Sequence, residues 1–228
     1  MFGYEHQPFS FKPMSKVQFR RLTAPLRFYF DPVFEGLEKL DPTKPVLLVG
    51  NHTIYGVVDV PLLISEIYTQ RNIVVRALAD HAHYQIPVWR RMLDMTGGVE
   101  GTRENCAKLM ERGEHVLVFP GGAREVAKRK DEKYKLVWKK RFGFVHMAVK
   151  YGYTIVPFAA VGPDDMVDVV WDANDIMKSP VGKLIAKTGA FKREGPLRGG
   201  DIIMPVSRGL GFTGIKKKKK FYFAIGDA

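Results

Sequence analysis

The sequence predicts an α/β fold, a single layered domain whose largely parallel, mixed sheet is flanked by helices. Three observations predict it. Short apolar runs rich in β-branched residues recur as far as Val161, helical stretches of roughly a dozen residues separate them, and Gly, Asn or Pro marks most of the boundaries. With 46% hydrophobic and 26% charged residues, a chain of 228 can bury one sizeable core.

Residues 1–40 read as an N-terminal amphipathic arm, and 41–228 as the main domain. The first 14 positions are rich in aromatics, Gly and Pro and suggest irregular structure. Residues 16–22 suit one or two amphipathic helical turns that stop before Pro25, and Leu26-Arg27-Phe28-Tyr29-Phe30 adds aromatic and basic character. Arginines beside aromatic rings suit a membrane interface, where rings enter the acyl boundary and guanidinium groups meet phosphates. The competing reading packs Phe19, Leu22 and Phe28 on the core.

The first strand is Val46-Leu47-Leu48-Val49, running into Gly50, Asn51 and His52. A helix is expected over 57–68 and a second strand over 72–78. Asp80 caps a further helix that Pro87 should bend or split, and 102–111 is a helix closed by Gly113. The third strand covers 115–119. Residues 134–151 read as one helix with Gly152 at its end, and 154–161 as a strand containing Pro157. Further on, 172–187 suits a helix, 191–200 a loop, and 201–205 and 221–226 short strands. Five consecutive lysines, Lys216 to Lys220, belong on the surface, where they serve solubility or meet anionic headgroups.

The formal net charge of +12 speaks of partners rather than fold. The basic residues are not interleaved with aromatics as in an RNA-binding platform, and no zinc-finger or recognition-helix pattern occurs, so no nucleic acid is expected. A membrane surface with anionic lipid, or an anionic substrate, is the expected partner. Cys106 is the only cysteine, which excludes an internal disulfide and favours a reducing compartment. It reads as a packing residue rather than a nucleophile. No apolar run reaches about 18 residues, and no secretory apolar core opens the chain, so the expected location is peripheral (monotopic) on the cytoplasmic face of a membrane.

The chemistry concentrates at strand ends, where open α/β sheets place it. An imidazole at His52 can have one nitrogen held by a carboxylate while the other accepts a proton. Asp59 follows at a distance that invites this pairing. A continuous helix between them would put the two about 10 Å apart, so either the chain loops around Gly56 to bring Asp59 back, or another carboxylate such as Glu125 supports His52. The third strand runs into Phe119-Pro120-Gly121-Gly122-Ala123-Arg124-Glu125, in which two glycines permit close backbone approach and Arg124 offers a fork for an anion. Upstream, Gly97 and Arg103 repeat the idea of a glycine turn followed by an arginine at a helix start. His81 and His83 stand near a helix cap and lack a third ligand, so no metal is assigned.

In this order, His with a downstream Asp, Gly-x5-Arg, Phe-Pro-x-Gly-x-Arg and Val-Pro on a strand resemble the glycerolipid and lysophospholipid acyltransferase superfamily. The resemblance covers about 45–162. The Pro-Gly-Gly-x-Arg-Glu form at Pro120 to Glu125, together with the segment 134–161, is similar to the diacylglycerol acyltransferase-like and phytyl ester synthase-like branch. It implies a glycerol-3-phosphate acyltransferase-like fold, with His52 as general base and Asp59 as its support. Gly97, Arg103 and 119–125 would position the acceptor. Acyl-CoA or acyl carrier protein would be the donor, a lipid hydroxyl the acceptor, and no resident cofactor is implied.

Three departures from the family pattern stand out. Six residues rather than four separate His52 from Asp59. Gly121 and Ala123 replace an acidic residue and a threonine, which favours an uncharged acceptor such as diacylglycerol or a long-chain alcohol over a lysophospholipid or glycerol phosphate. The chain also stops at Ala228, soon after a strand that in relatives leads into further sequence, as expected of a shortened chain or a minimal member. A lipid-binding module without catalysis is the reading from another class.

Overall fold

Among the residues that the computed structural model describes, 8–211, 213 and 216–228, nine strands form two sheets. They are β1 (Val33–Glu35), β2 (Val46–Gly50), β3 (Val75–Ala79), β4 (Val99–Glu100), β5 (His115–Val118), β6 (Thr154–Val161), β7 (Asp168–Trp171), β8 (Val206–Arg208) and β9 (Tyr222–Ile225). The main sheet runs β1-β9-β6-β2-β5-β3-β4, and β7 pairs with β8 apart from it. Within the main sheet only β6 and β9 are antiparallel, so the sheet is mixed and largely parallel, as the alternating pattern predicts.

Helices α1 (Lys16–Phe30) and α2 (Asp59–Arg71) cover one face of the sheet, followed in the chain by α3 (His81–Tyr84) and α4 (Pro87–Thr96). On the opposite face pack α5 (Arg103–Glu111) and, beyond the short α6 (Ala123–Val126), α7 (Gly143–Tyr151). The two remaining helices are α8 (Ala173–Lys178) and α9 (Pro180–Ala186). All five residues of β2 are buried, because β5 and β6 flank it and helices cover both faces. Leu62, Leu63 and Ile67 of α2 are fully buried above it, each contributing roughly 1.5–3 kcal/mol by leaving water.

Several expectations are corrected. The arm does not stop at Pro25: α1 runs through it. Pro25 withdraws one N–H from the helix, but packing offsets the loss. Phe19, Thr23 and Phe30 are buried, Thr23 Oγ1 lies 3.2 Å from Ser65 Oγ on α2, Arg27 pairs with Glu66, and Ser15 and Gln18 form a capping box. Residues 1–7 of the expected irregular arm lie outside the described residues.

The helix expected over 134–151 exists only as α7. Tyr134, Lys139 and Lys140 have positive φ, and Asp164 accepts the Tyr134 N–H at 3.3 Å, so 134–142 follows tertiary contacts instead of a helix. The helix expected over 172–187 breaks between α8 and α9, where Pro180 follows Ser179 and Ser179 caps α9. No strand forms over 201–205; the pairing falls one step later, in β8. The lysine run is tied down in part, since Lys217 Nζ reaches Asp168 at 2.6 Å and Lys220 Nζ reaches Asp31 at 3.0 Å.

Candidate active site

The loop that leaves β2 carries the site. Gly50 lacks a Cβ where one would lie 2.5 Å from the Phe158 ring, so the strand ends pressed against β6. The Asn51 side chain then copies a strand bond: its Nδ2 donates to Ala160 O at 2.9 Å and its Oδ1 accepts from Ala160 N at 2.8 Å. After His52 the backbone turns left-handed at Tyr55 (φ 64) and Gly56 (φ 59), and α2 begins only at Asp59.

This turn realises the first of the two possibilities that the spacing leaves open. It brings Asp59 back so that His52 Nδ1 lies 3.6 Å from Asp59 Oδ2, an ion-pair distance longer than a hydrogen bond. The same oxygen accepts from Thr53 Oγ1 at 2.7 Å and Thr53 N at 3.3 Å, and Asp59 is only 2% exposed. Burial opposes its ionisation, but His52, the Thr53 hydroxyl and the Val60 N–H outweigh that and hold its carboxyl below the usual carboxylate range. Asp59 therefore offers the imidazole a negative charge at neutral pH.

Glu125 serves the loop rather than the ring. Its Oε2 accepts the His52 backbone N–H at 3.0 Å. Burial pushes its carboxyl up, against the weaker pulls of the His52 N–H and Lys128. Ile54 N donates to Asp164 Oδ1 at 2.8 Å and Tyr55 N to Val126 O at 3.1 Å, so the loop is bound from three sides.

The His52 ring stacks on Phe119, with centroids 3.8 Å apart and planes 11° off parallel. Its Nδ1 is enclosed and turned to Asp59, while the side chain as a whole keeps 16% exposure. His52 lines a cavity of about 300 Å³, walled by Leu22 and Leu26 of α1, Val60 and Ile64 of α2, Ala77 and Leu78 of β3, and Trp89, Met92 and Leu93 of α4. The volume lies at the lower end of the range for small-molecule sites, and its few polar members are Thr23, Asp80, His83 and Thr96 beside His52.

The motif residues divide. Phe119, Gly122 and Ala123 reach the cavity wall. Gly121 is needed because a Cβ there would lie 2.3 Å from Glu125 Oε2, and Arg141 clamps the turn by donating to Pro120 O at 3.1 Å and Gly121 O at 2.7 Å. Arg124 is not on the wall. It is 5% exposed, donates to Ala127 O at 3.3 Å, pairs with Glu132, and holds Asp201 at 3.5 Å. Arg103 is exposed at the start of α5, whose cap is Thr102, and Gly97 packs against Phe11 and Arg76 while its neighbour Gly98 reaches the cavity.

His81 pairs with Glu100, and His83 meets Trp89 edge-on in the cavity wall. Burial pushes the Cys106 thiol up to about 11, as befits a packing residue. Sequence reasoning missed Asp164 and the α4 wall. A Gly-Pro-Asp turn directly after β6 was the available signal for Asp164.

A sheet of this order, with a histidine at the end of a buried central strand beside an apolar cavity, defines an α/β domain with a candidate site at the strand ends. The chain belongs to the Acyltransferase family, whose model matches residues 31–161, more than half of it. It is 38% identical over 203 residues to phytyl ester synthase 2, chloroplastic, of Arabidopsis thaliana, a match that covers 85% of this chain and 29% of that protein. It is 31% identical over 122 residues to the human DGAT1/2-independent enzyme synthesizing storage lipids, covering 54% of this chain and 37% of that one. The chain thus spans well under half the length of these relatives. The crystal structure of the 1-acyl-sn-glycerophosphate acyltransferase PlsC from Thermotoga maritima shares the fold, with a TM-score of 0.58 and 17% identity over 93% of this chain and 67% of that one.

Proposed function

We propose that the chain transfers a fatty acyl group from a thioester donor, acyl-CoA or acyl carrier protein, to the hydroxyl of an uncharged lipid acceptor such as diacylglycerol or a long-chain alcohol. One observation carries this reading: His52 lines the apolar cavity while buried Asp59 stands 3.6 Å behind its Nδ1.

In the proposed step, Nε2 of His52 takes the proton from the acceptor hydroxyl as that oxygen attacks the thioester carbonyl. The tetrahedral intermediate collapses with loss of the thiolate, which recovers the proton from the imidazolium. Asp59 steadies the imidazolium while it lasts. Because a thioester is already activated, base catalysis and stabilisation of the oxyanion suffice without an acyl-enzyme.

The arginines support an uncharged acceptor. Arg124 is committed to Glu132 and Asp201, Arg103 is off the wall, and the cavity is mainly apolar, so a phosphate entering it would lose water with no cation to meet it. Relatives named as a phytyl ester synthase and as an enzyme synthesizing storage lipids support such an acceptor. Among the described residues no helix is long and apolar enough to cross a membrane. Leu22 and Met92 line the cavity yet remain partly exposed, beside exposed Phe28, Val88, Arg20, Arg21 and Arg91. That mixture suits a peripheral seat on anionic lipid from which an acceptor enters the cavity directly.

A transfer assay with radiolabelled acyl donor, offering diacylglycerol beside lysophosphatidate, tests the reading. The neutral acceptor should be used faster; equal rates would contradict the acceptor assignment.

A further inference from the structure

A second cavity, of about 180 Å³, touches the His52 loop from another direction through Ile54 and is lined by Lys128, Arg129, Lys130, Lys133, Asp164 and Asp168. It shares no lining residue with the apolar cavity. Its size is below that of a site for a whole drug-sized ligand and suits a single small anionic group.

The charge balance of its walls favours an anion. Both carboxylates are already satisfied. Asp164 accepts Ile54 N at 2.8 Å and Tyr134 N at 3.3 Å, and Asp168 is met by Lys217 at 2.6 Å and Arg208 at 3.8 Å. Lys130 and Lys133 are drawn to Asp175 and Asp165, neither of which lines the cavity.

Lys128, in a long ion pair with Asp164, and Arg129 keep donors to spare. Lys128 is 3% exposed, its nearest carboxylate oxygen is 3.5 Å away on Asp164, and its ammonium donates no hydrogen bond among the described residues. Arg129 likewise has no side-chain hydrogen bond or ion pair among them, and it is half-buried in the wall. A buried ammonium with three donors and a guanidinium fork beside it is an arrangement that a tetrahedral anion completes.

We propose that this cavity is a subsite for a phosphate group, held by Lys128 and Arg129. The phosphate belongs either to the coenzyme portion of a thioester donor or to a lipid headgroup at the membrane. Its occupant would sit one side chain from the catalytic loop, because Asp164 touches both Lys128 and the Ile54 N–H. The proposal is about binding and stands whether or not His52 is the base.

Calorimetric titration of the wild-type chain with inorganic phosphate, with free coenzyme A, and with phosphatidylcholine vesicles containing phosphatidate tests it, alongside Arg129→Glu and Lys128→Met. Binding that weakens about tenfold or more in Arg129→Glu, and falls with added salt, is expected. Competition between phosphate and coenzyme A would assign the site to the donor, and Arg129-dependent binding of vesicles alone would assign it to a headgroup. Either supports the subsite. If no probe binds the wild type, or if Arg129→Glu binds every probe as the wild type does, the proposal is overturned. Arg129 is half-buried, so its variant decides the matter even if Lys128→Met fails to fold. His52→Ala should bind as the wild type does, which separates this result from any failure of the catalytic reading.

Discussion

Glu125 accepts the backbone N–H of His52 at 3.0 Å, joining two motifs that stand 73 residues apart in the chain. The bond explains why the turn after β5 carries two glycines. Gly121 leaves room for the Glu125 carboxylate, and Gly122 (φ 51) makes the bend that delivers it. The histidine loop and the glycine turn are therefore one mechanical unit, and changes in either should be felt at the ring.

Gly56→Ala should inactivate the protein by about 10²-fold or more, because its Cβ would lie 2.2 Å from His52 Cε1 and displace the ring. The positive φ adds roughly 1–2 kcal/mol of destabilisation. Steady-state transfer rates set beside a thermal melt separate the two effects. Full activity with an unshifted melt would mean that the loop geometry is wrong.

Asp59→Asn should lower kcat by about 10²–10⁴-fold while leaving donor binding nearly intact. A pH signature accompanies it. The folded carboxyl of Asp59 is held below its ordinary 3.8, so its stabilising contribution is complete above that pH and is lost as pH falls through the lower folded value. Urea denaturation at pH 5 and pH 3 should show the wild type losing more stability than Asp59→Asn over that interval. Parallel losses would sink the assignment.

Glu125→Gln should show the opposite sign. Burial raises the folded carboxyl above 4.5, so the wild type loses stability as pH climbs from that value towards the folded one, a loss that the amide does not suffer. Since Gln keeps an acceptor for the His52 N–H, the difference between the two proteins should move in favour of the variant between pH 4.5 and 7. Denaturation at both pH values measures it, and a pH-independent difference would count against a buried, raised Glu125.

Much of this arrangement was legible beforehand, for identifiable reasons. The strands that proved central, β2, β3, β5 and β6, are apolar runs that propensity and burial both favour, whereas β1, β4, β7 and β8 are two to four residues long and take their pairing from neighbours. His52 and Asp59 could be singled out. Their approach was only one of two possibilities, because it depends on Tyr55 taking a left-handed turn that the Val126, Ala160 and Asp164 contacts enforce. Arg124 looked like an anion fork from its glycine setting. Its partner Glu132 comes from a segment for which no element was expected and Asp201 from one wrongly expected to be a strand, so its commitment to them was invisible.

Arg124→Ala should accordingly act on stability more than on acceptor affinity. It removes a buried guanidinium from Glu132, which keeps the Arg129 N–H, and from Asp201, which keeps Lys139, at a cost of about 1–3 kcal/mol. Lys in its place cannot reproduce the fork. A melt lowered in both variants is expected, and a stable Arg124→Ala with only a raised acceptor KM would instead give this arginine a ligand.

The central claim is that His52 moves the proton. Single-turnover transfer of a labelled acyl chain by His52→Ala, in protein shown to melt like the wild type and to bind the acyl donor equally well, tests this most directly. A rate lower by about 10²–10⁴-fold with binding unchanged is the predicted result. A rate equal to that of the wild type would contradict it.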